Sequence, residues 1–272
     1  QTIGVGGRFD TPGAVTLTAG GNVIMQGTDI GSQQAPVGSL SINAGESVVV
    51  LASIDTARAQ GNVYGGSGSL RVSAQTATGG RPLAGGAGFE FGQTDEDSTL
   101  QRGAQWHVLR DMEVTAGSDH AAAILLEGLH ANADRIALNA SNGGISISAA
   151  RSLKERDNKL ISASFNLGGQ TGGANRTYSL DEFAAQFKLD YDKLQSSTYA
   201  NARLTAGTVD FNSPGELRLS GAQVHADQVN GSVGSLHARS MKDHVDAITV
   251  KTEAEIGMGG DPWGAIGGLA SV

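Results

Sequence analysis

The chain has 272 residues, a net charge of −8, 40 glycines, 5 prolines and no cysteine, and aromatic residues make up 5% of it. With no basic stripe to release counterions from a phosphate backbone, the acidic balance argues against nucleic acid as a partner. Without cysteine there is no disulfide framework, without a Gly-x-y period there is no collagen, and no run of 18 apolar residues is present to serve as a transmembrane segment.

In chain order, a short phrase of the form apolar–x–apolar–x–Ala keeps returning. It is carried by Val15, Leu17 and Ala19, then by Leu40, Ile42 and Ala44, then by Leu70, Val72 and Ala74. It returns with Met112, Val114 and Ala116 and with Ile136, Leu138 and Ala140, and a degenerate copy follows at Leu204 and Ala206. Alternation of this kind points the apolar residues to one face of a strand and the intervening Thr, Ser and Asn to the other. The first two copies match further at an offset of 25, Val23, Met25 and Gly27 against Val48, Val50 and Ala52. A strand that recurs at such spacing marks one supersecondary unit stacked on itself. The fold expected is therefore all-β, a β-solenoid of about ten coils, with one buried apolar column through Val15, Leu17, Leu40, Ile42, Val48, Val50, Leu70, Val72, Val114, Ile136 and Leu138.

Two stretches break the pattern. Residues 76–105, rich in Gly and Thr and then acidic at Asp95, Glu96 and Asp97, are expected as an irregular loop or a protruding hairpin. The phrase resumes at Trp106 and runs to about residue 150, with 121–126 read as a strand buried on both faces. Residues 151–201 are the larger interruption: 152–167 reads as a hairpin turning near Asp157 and Asn158, and a Gly-rich joint covers 168–173. Ser179 and Glu182 then have capping-box spacing. Phe183, Phe187, Tyr191 and Leu194 follow at helical spacing and predict a helix of about 15 residues. Strands return at 202–272, with 244–255 as an exposed strand pair. The domain organisation expected is thus 1–150 as β-helix rungs, 151–201 as a hairpin-plus-helix insertion, and 202–272 as β-helix continuation. The chain opens and closes mid-pattern without a signal peptide, and so reads as a piece of something longer.

The six histidines, at 107, 120, 130, 225, 237 and 244, have no metal-ligand spacing. Asp95–Asp97 lacks the remaining positions of a calcium loop, and the Gly–Asp run ending at Asp261 occurs once rather than in tandem. Ser67 lacks the final Gly of a nucleophile elbow, and no phosphate-binding loop exists. No catalytic, cofactor-binding or metal-ligating residue is predicted, and the protein is expected not to be an enzyme. A polysaccharide-degrading β-helix enzyme is the alternative from another class, and it would need carboxylates recurring at rung spacing. Phe183, Phe187 and Tyr191 are the candidate partner-binding residues, because aromatics are scarce here and favoured at interface cores. The competing reading packs their apolar stripe onto the solenoid or the preceding hairpin.

The segments VTLTAGGNVIMQG, LSINAGESVVVLAS and LRLSGAQVHADQV resemble the haemagglutinin-type repeats of filamentous haemagglutinin-like exoproteins, the passengers of two-partner secretion in Gram-negative bacteria. The resemblance covers about two thirds of the chain and misses the two interruptions. It implies a right-handed parallel β-helix, secreted through an outer-membrane transporter and exposed at the cell surface. It also implies adhesion to a host or bacterial cell-surface receptor, or a role as the stalk of a contact-dependent growth-inhibition toxin.

Overall fold

A computed structural model describes residues 7–72, 81–171 and 178–259. These are strands and short turns, with no helix among the described residues. They fall into two compact units, one within Gln1–Ala57, Ser98–Lys154 and Ser196–His244, the other within Arg58–Asp97, Glu155–Gln195 and Val245–Val272.

The first unit is a parallel β-helix of 14 strands. Its coils read off the register directly. Coil one is β1 (Arg8–Phe9), β2 (Ala14–Ala19) and β3 (Val23–Gln26). Coil two is β4 (Asp29–Ile30), β5 (Ser39–Ala44) and β6 (Val48–Leu51). The chain then makes β7 (Ser53–Val72) and β8 (Arg81–Arg102) before coil three, which is β9 (Gln105–His107), β10 (Asp111–Ala116) and β11 (Ile124–Glu127). Coil four is β12 (His130–Asn132), β13 (Arg135–Ala140) and β14 (Ile145–Ser148), followed by β15 (Ala150–Thr171) and β16 (Tyr178–Ala200). Coils five and six are each one strand bent around all three faces, β17 (Ala202–Ser220) and β18 (Ala222–Arg239), and β19 (His244–Gly259) follows. The described coils thus number six rather than ten.

The repeated phrase is the vertical register of this helix. Val15 pairs with Leu40, Leu40 with Met112, Met112 with Ile136, and Ile136 with Val209. One step along, Leu17, Ile42, Val114, Leu138 and Phe211 stack in the same way. The offset of 25 is likewise structural: Val23 pairs with Val48 and Met25 with Val50. Val15, Leu40, Ile42, Val48, Val50, Val114, Ile136 and Leu138 are all buried, and Leu17 is half-buried against them. On the third face Trp106 stacks between Ile30 and Ala131 and donates its indole N–H to the Thr28 carbonyl at 2.9 Å, so the large ring is buried with its one polar atom satisfied.

Outward positions carry polar ladders. Asn212 donates to Asn139, which donates to Glu113, at 3.0 and 3.2 Å. Asn230 and Arg135 both donate to Asp210, at 2.9 and 2.8 Å, and hold its carboxyl below the ordinary aspartate range.

One corner decides where the chain leaves this helix. Gly27, Gly128 and Gly221 follow the second-face strands of coils one, three and five, with φ of 56°, 64° and 62°. By register, Ala52 and Ala149 are their counterparts in coils two and four. Where the residue is Gly, the left-handed conformation turns the chain into the next coil. Alanine enters that region at a cost of about 1–2 kcal/mol, and where it stands the chain carries on into β7 or β15. The corner is also tight: a Cβ on Gly128 would lie 2.7 Å from the Ala150 Cβ.

Several expectations are corrected. Leu70 is 75% exposed, because its copy of the phrase lies in β7, outside the β-helix; alternation marks a strand but not the sheet it joins. Val72 belongs to the same strand, and its side chain and Ala74 lie outside the described residues. The copy at Leu204 is not in the first column: Leu204 pairs with Ala131 on the third face, and Val209 and Phe211 fill the column. Within 121–126 only 124–126 is strand, and Leu125 is half-exposed rather than buried. Residues 81–102 are a regular strand, not an irregular loop, while 76–80 lie outside the described residues. No turn occurs at Asp157 and Asn158, where β15 runs straight through. The capped helix is absent: 178–200 is the strand β16, whose backbone bonds go to strands on either side. The coils run to Arg239, and His244–Gly259 is one strand paired with β16.

Two substitutions test this arrangement. Ile42→Asp places a lone carboxylate in the sealed column and is expected to lower stability by several kcal/mol, of order 2–7, read as a large drop in the thermal midpoint with loss of β circular dichroism. Gly128→Ala is expected to cost about 1–2 kcal/mol for the left-handed backbone alone, with more from the Ala150 contact; a midpoint equal to wild type would refute the corner's role.

Candidate binding face on the antiparallel sheet

The second sheet has the order β7-β8-β15-β16-β19. Its contacts show antiparallel pairing throughout, since residue numbers rise on one strand as they fall on the next. Arg58 meets Asp97, Gln60 meets Asp95 and Tyr64 meets Phe91 across β7 and β8. Gly88 approaches Ser164 and Gly92 approaches Leu160 across β8 and β15. Glu155 meets Gln195 and Asp157 meets Tyr191 across β15 and β16, and Asp192 meets Thr249 and Lys188 meets Glu253 across β16 and β19.

These pairs also assign the two faces, because side chains that meet across a ladder share a face. One face is mainly polar. Arg156 bridges to Asp192 at 2.7 Å, Thr249 donates to the same carboxylate at 3.2 Å, Lys188 bridges to Glu253 at 3.0 Å, and Gln186 also donates to Glu253. Asn158 leaves its amide oxygen enclosed and without a partner there. A groove of about 490 Å³ on the sheet includes Asn158, Asp190, Asp192, Thr249 and Lys251 in its lining.

The other face is apolar over a band. On β16 it carries Phe183, Ala185, Phe187, Leu189 and Tyr191, every second residue. A groove of about 380 Å³ lies across this band. Ala163, Ala185 and Ala254 form small floor positions, and Phe89, Phe165, Phe187 and Ile256 rise beside them with 58, 45, 43 and 52% of their surface open. Along the same face the character then changes to charge, with Glu155, Gln195 and the Arg58–Asp97 pair. Tyr191 stands at that border and donates its hydroxyl to Asp157 at 3.3 Å.

The three residues singled out from sequence therefore share one face, for a reason other than the helix. Their spacing of four is even, and even spacing keeps side chains on one side of a strand as well as of a helix. Phe187 is exposed, and Phe183 and Tyr191 are half-buried. Sequence reasoning missed Phe89, Phe165 and Ile256, which β8, β15 and β19 bring beside Phe187. A period-2 signal was present around all three, as in Ile161, Ala163 and Phe165, but which strands become neighbours is not a local property.

On the β-helix, the outward position that would need a carboxylate column reads Ser41, Glu113, Ala137 and Asp210 by register, with alanine between the two acids. Among the described residues no three of His, Asp and Glu gather as a metal ion would require, and no helix is long and apolar enough to cross a membrane.

A parallel β-helix in which equivalent strands stack coil on coil is a repeat-built solenoid. The hemagglutinin repeat family model matches residues 5–124 and 110–253, and the chain belongs to that family, whose members are passengers of two-partner secretion. It is 33% identical over 277 residues to a hemolysin of Serratia marcescens and 27% identical over 275 residues to a hemolysin of Proteus mirabilis. Each alignment covers 96% of this chain but 17% of the relative, so the chain spans about a sixth of the length of the curated relatives it matches. No solved structure matches it. The chain is accordingly a segment of a secreted bacterial exoprotein.

Chelation is expected to be without effect: EDTA should leave the thermal midpoint of the chain unchanged within error, and a fall of many degrees would reveal a bound cation.

Proposed function

We propose that this chain is a non-enzymatic, surface-exposed segment of a large exoprotein, exported through an outer-membrane two-partner secretion transporter, and that it attaches the protein to target cells. The observation that carries this reading is the apolar face of the antiparallel sheet, where Phe89, Phe165, Phe187 and Ile256 stand open to solvent beside Phe183 and Tyr191. Contiguous exposed apolar area of this kind marks an interaction surface. The β-helix contributes length and rigidity, since each coil adds about 4.8 Å through backbone bonds alone.

Two further readings stand beside it. The relatives are named hemolysins, and a hemolysin must first engage the red-cell surface, so attachment by this face also suits a membrane-damaging protein. A toxin-delivery stalk would use the same architecture with its activity elsewhere.

The test replaces Phe89, Phe187 and Ile256 by Ser together. All three are exposed, so the variant is expected to keep its β circular dichroism and to melt within a few degrees of wild type. Its attachment to erythrocytes or to target bacteria is expected to fall at least tenfold. Unchanged attachment by the folded variant would remove this face from the function.

A further inference from the structure

We propose that the partner of the apolar face is the lipid bilayer itself: the antiparallel sheet lies in the membrane interface with its apolar band against the acyl chains and its ion-paired face toward water. This rests on the attachment reading and names its partner.

The first argument is the chemistry of the groove. Its walls and floor are Phe, Ile and Ala, and it contains no charged side chain. Of its two polar lining residues, Ser164 and Gln186, the glutamine directs its amide to Glu253 on the opposite face. A sugar, a phosphate or a polar peptide side chain placed here would surrender its bonds to water and find no replacement. Hydrocarbon loses nothing by entering.

The second argument is extent. On β16 the apolar alternation runs from residue 183 to 191, and on β19 the same face carries Ile248, Val250, Ala254 and Ile256 with Thr252 among them. The band ends in charge on one side, and Tyr191 sits at that boundary with its ring beside the band and its hydroxyl on Asp157. Tyrosine concentrates where hydrocarbon gives way to water.

The third argument fixes the mode of contact. Among the described residues β7 and β19 are the two ends of the strand order, so the sheet these strands form is open. Unpaired backbone groups at open edges are not tolerated in the bilayer core. A single chain with one apolar and one polar face is instead suited to lie flat, as an interfacial element does.

The absence of cysteine in the chain permits a direct test. Phe187→Cys and Lys188→Cys place a single thiol on either face of β16, and each is labelled with the environment-sensitive dye NBD. With protein-free phosphatidylcholine vesicles, the chain is expected to float with the lipid. The dye at 187 is expected to shift to the blue, brighten severalfold and be quenched by nitroxide-labelled lipid, while the dye at 188 stays in water. The folded Phe89→Asp, Phe187→Asp, Ile256→Asp variant is expected to lose flotation by at least tenfold. Failure to float, or an equal response at 187 and 188, overturns the proposal. If the chain then still attaches to intact cells and trypsin treatment of those cells abolishes it, the partner is a surface protein and the attachment reading survives without the lipid. If it attaches to neither cells nor vesicles, both readings fall.

Discussion

The backbone ladder between equivalent strands, with its single spacing of about 4.8 Å, is what the rest of the structure depends on. It holds each coil one level above the last and makes every side chain the neighbour of its counterpart in the next coil, so that one inward phrase builds a continuous core. The second sheet takes its strands in chain order. β7 leaves coil two, β8 enters coil three, β15 leaves coil four, β16 enters coil five and β19 follows coil six. The sheet order β7-β8-β15-β16-β19 is the order of those coils. Within the first unit the bases of these strands are already joined, by Ser53 to the Arg102 carbonyl, the Gln101 amide to Ser152, and the Tyr199 amide to Asp243.

The corner after the second face converts a sequence detail into topology. Glycine at 27, 128 and 221 accepts a positive φ and the chain stays in the solenoid; at the exits toward β7, β15 and β19 the equivalent residue is Ala52, Ala149 and Ser240. Long insertions at such exits are compatible with stability because the ladder closes above them. β5 pairs with β10 and β13 with β17 in parallel across the insertions, as β2 pairs with β5 where no insertion intervenes. In a fold whose stability is a sum of nearest-neighbour terms, an excursion that leaves the neighbours in register removes little.

The two sheets spend their apolar residues differently. In the β-helix, three faces enclose the inward side chains, and residues such as Ile42, Val114 and Ile136 have no exposed surface. The antiparallel sheet also alternates apolar and polar residues, yet the aromatic side chains of its apolar face remain substantially open. The same period-2 grammar thus yields a sealed core in one case and a surface able to bind in the other, and the surface is where this chain can engage a partner.

How much of this was legible in the sequence follows from the range of each interaction. Strands, inward positions and stacking in the first two coils were readable because alternation and the offset of 25 are local and repetitive. Tyr191 and the two phenylalanines at 183 and 187 were readable as one face because an even spacing is degenerate between helix and strand. That degeneracy also hid the true element: Ala185 and Leu189 complete a period-2 pattern, and only hydrogen bonds from β15 and β19 settle it as strand. Leu70 and Leu204 carry the phrase but sit elsewhere, since the phrase does not encode which strand comes alongside. By itself the sequence determined an all-β, repeat-built chain with a polar exterior and an aromatic patch in its second interruption. Tertiary structure alone decided the antiparallel sheet and the gathering of Phe89, Phe165, Phe187 and Ile256, because these depend on pairing between strands far apart in the chain.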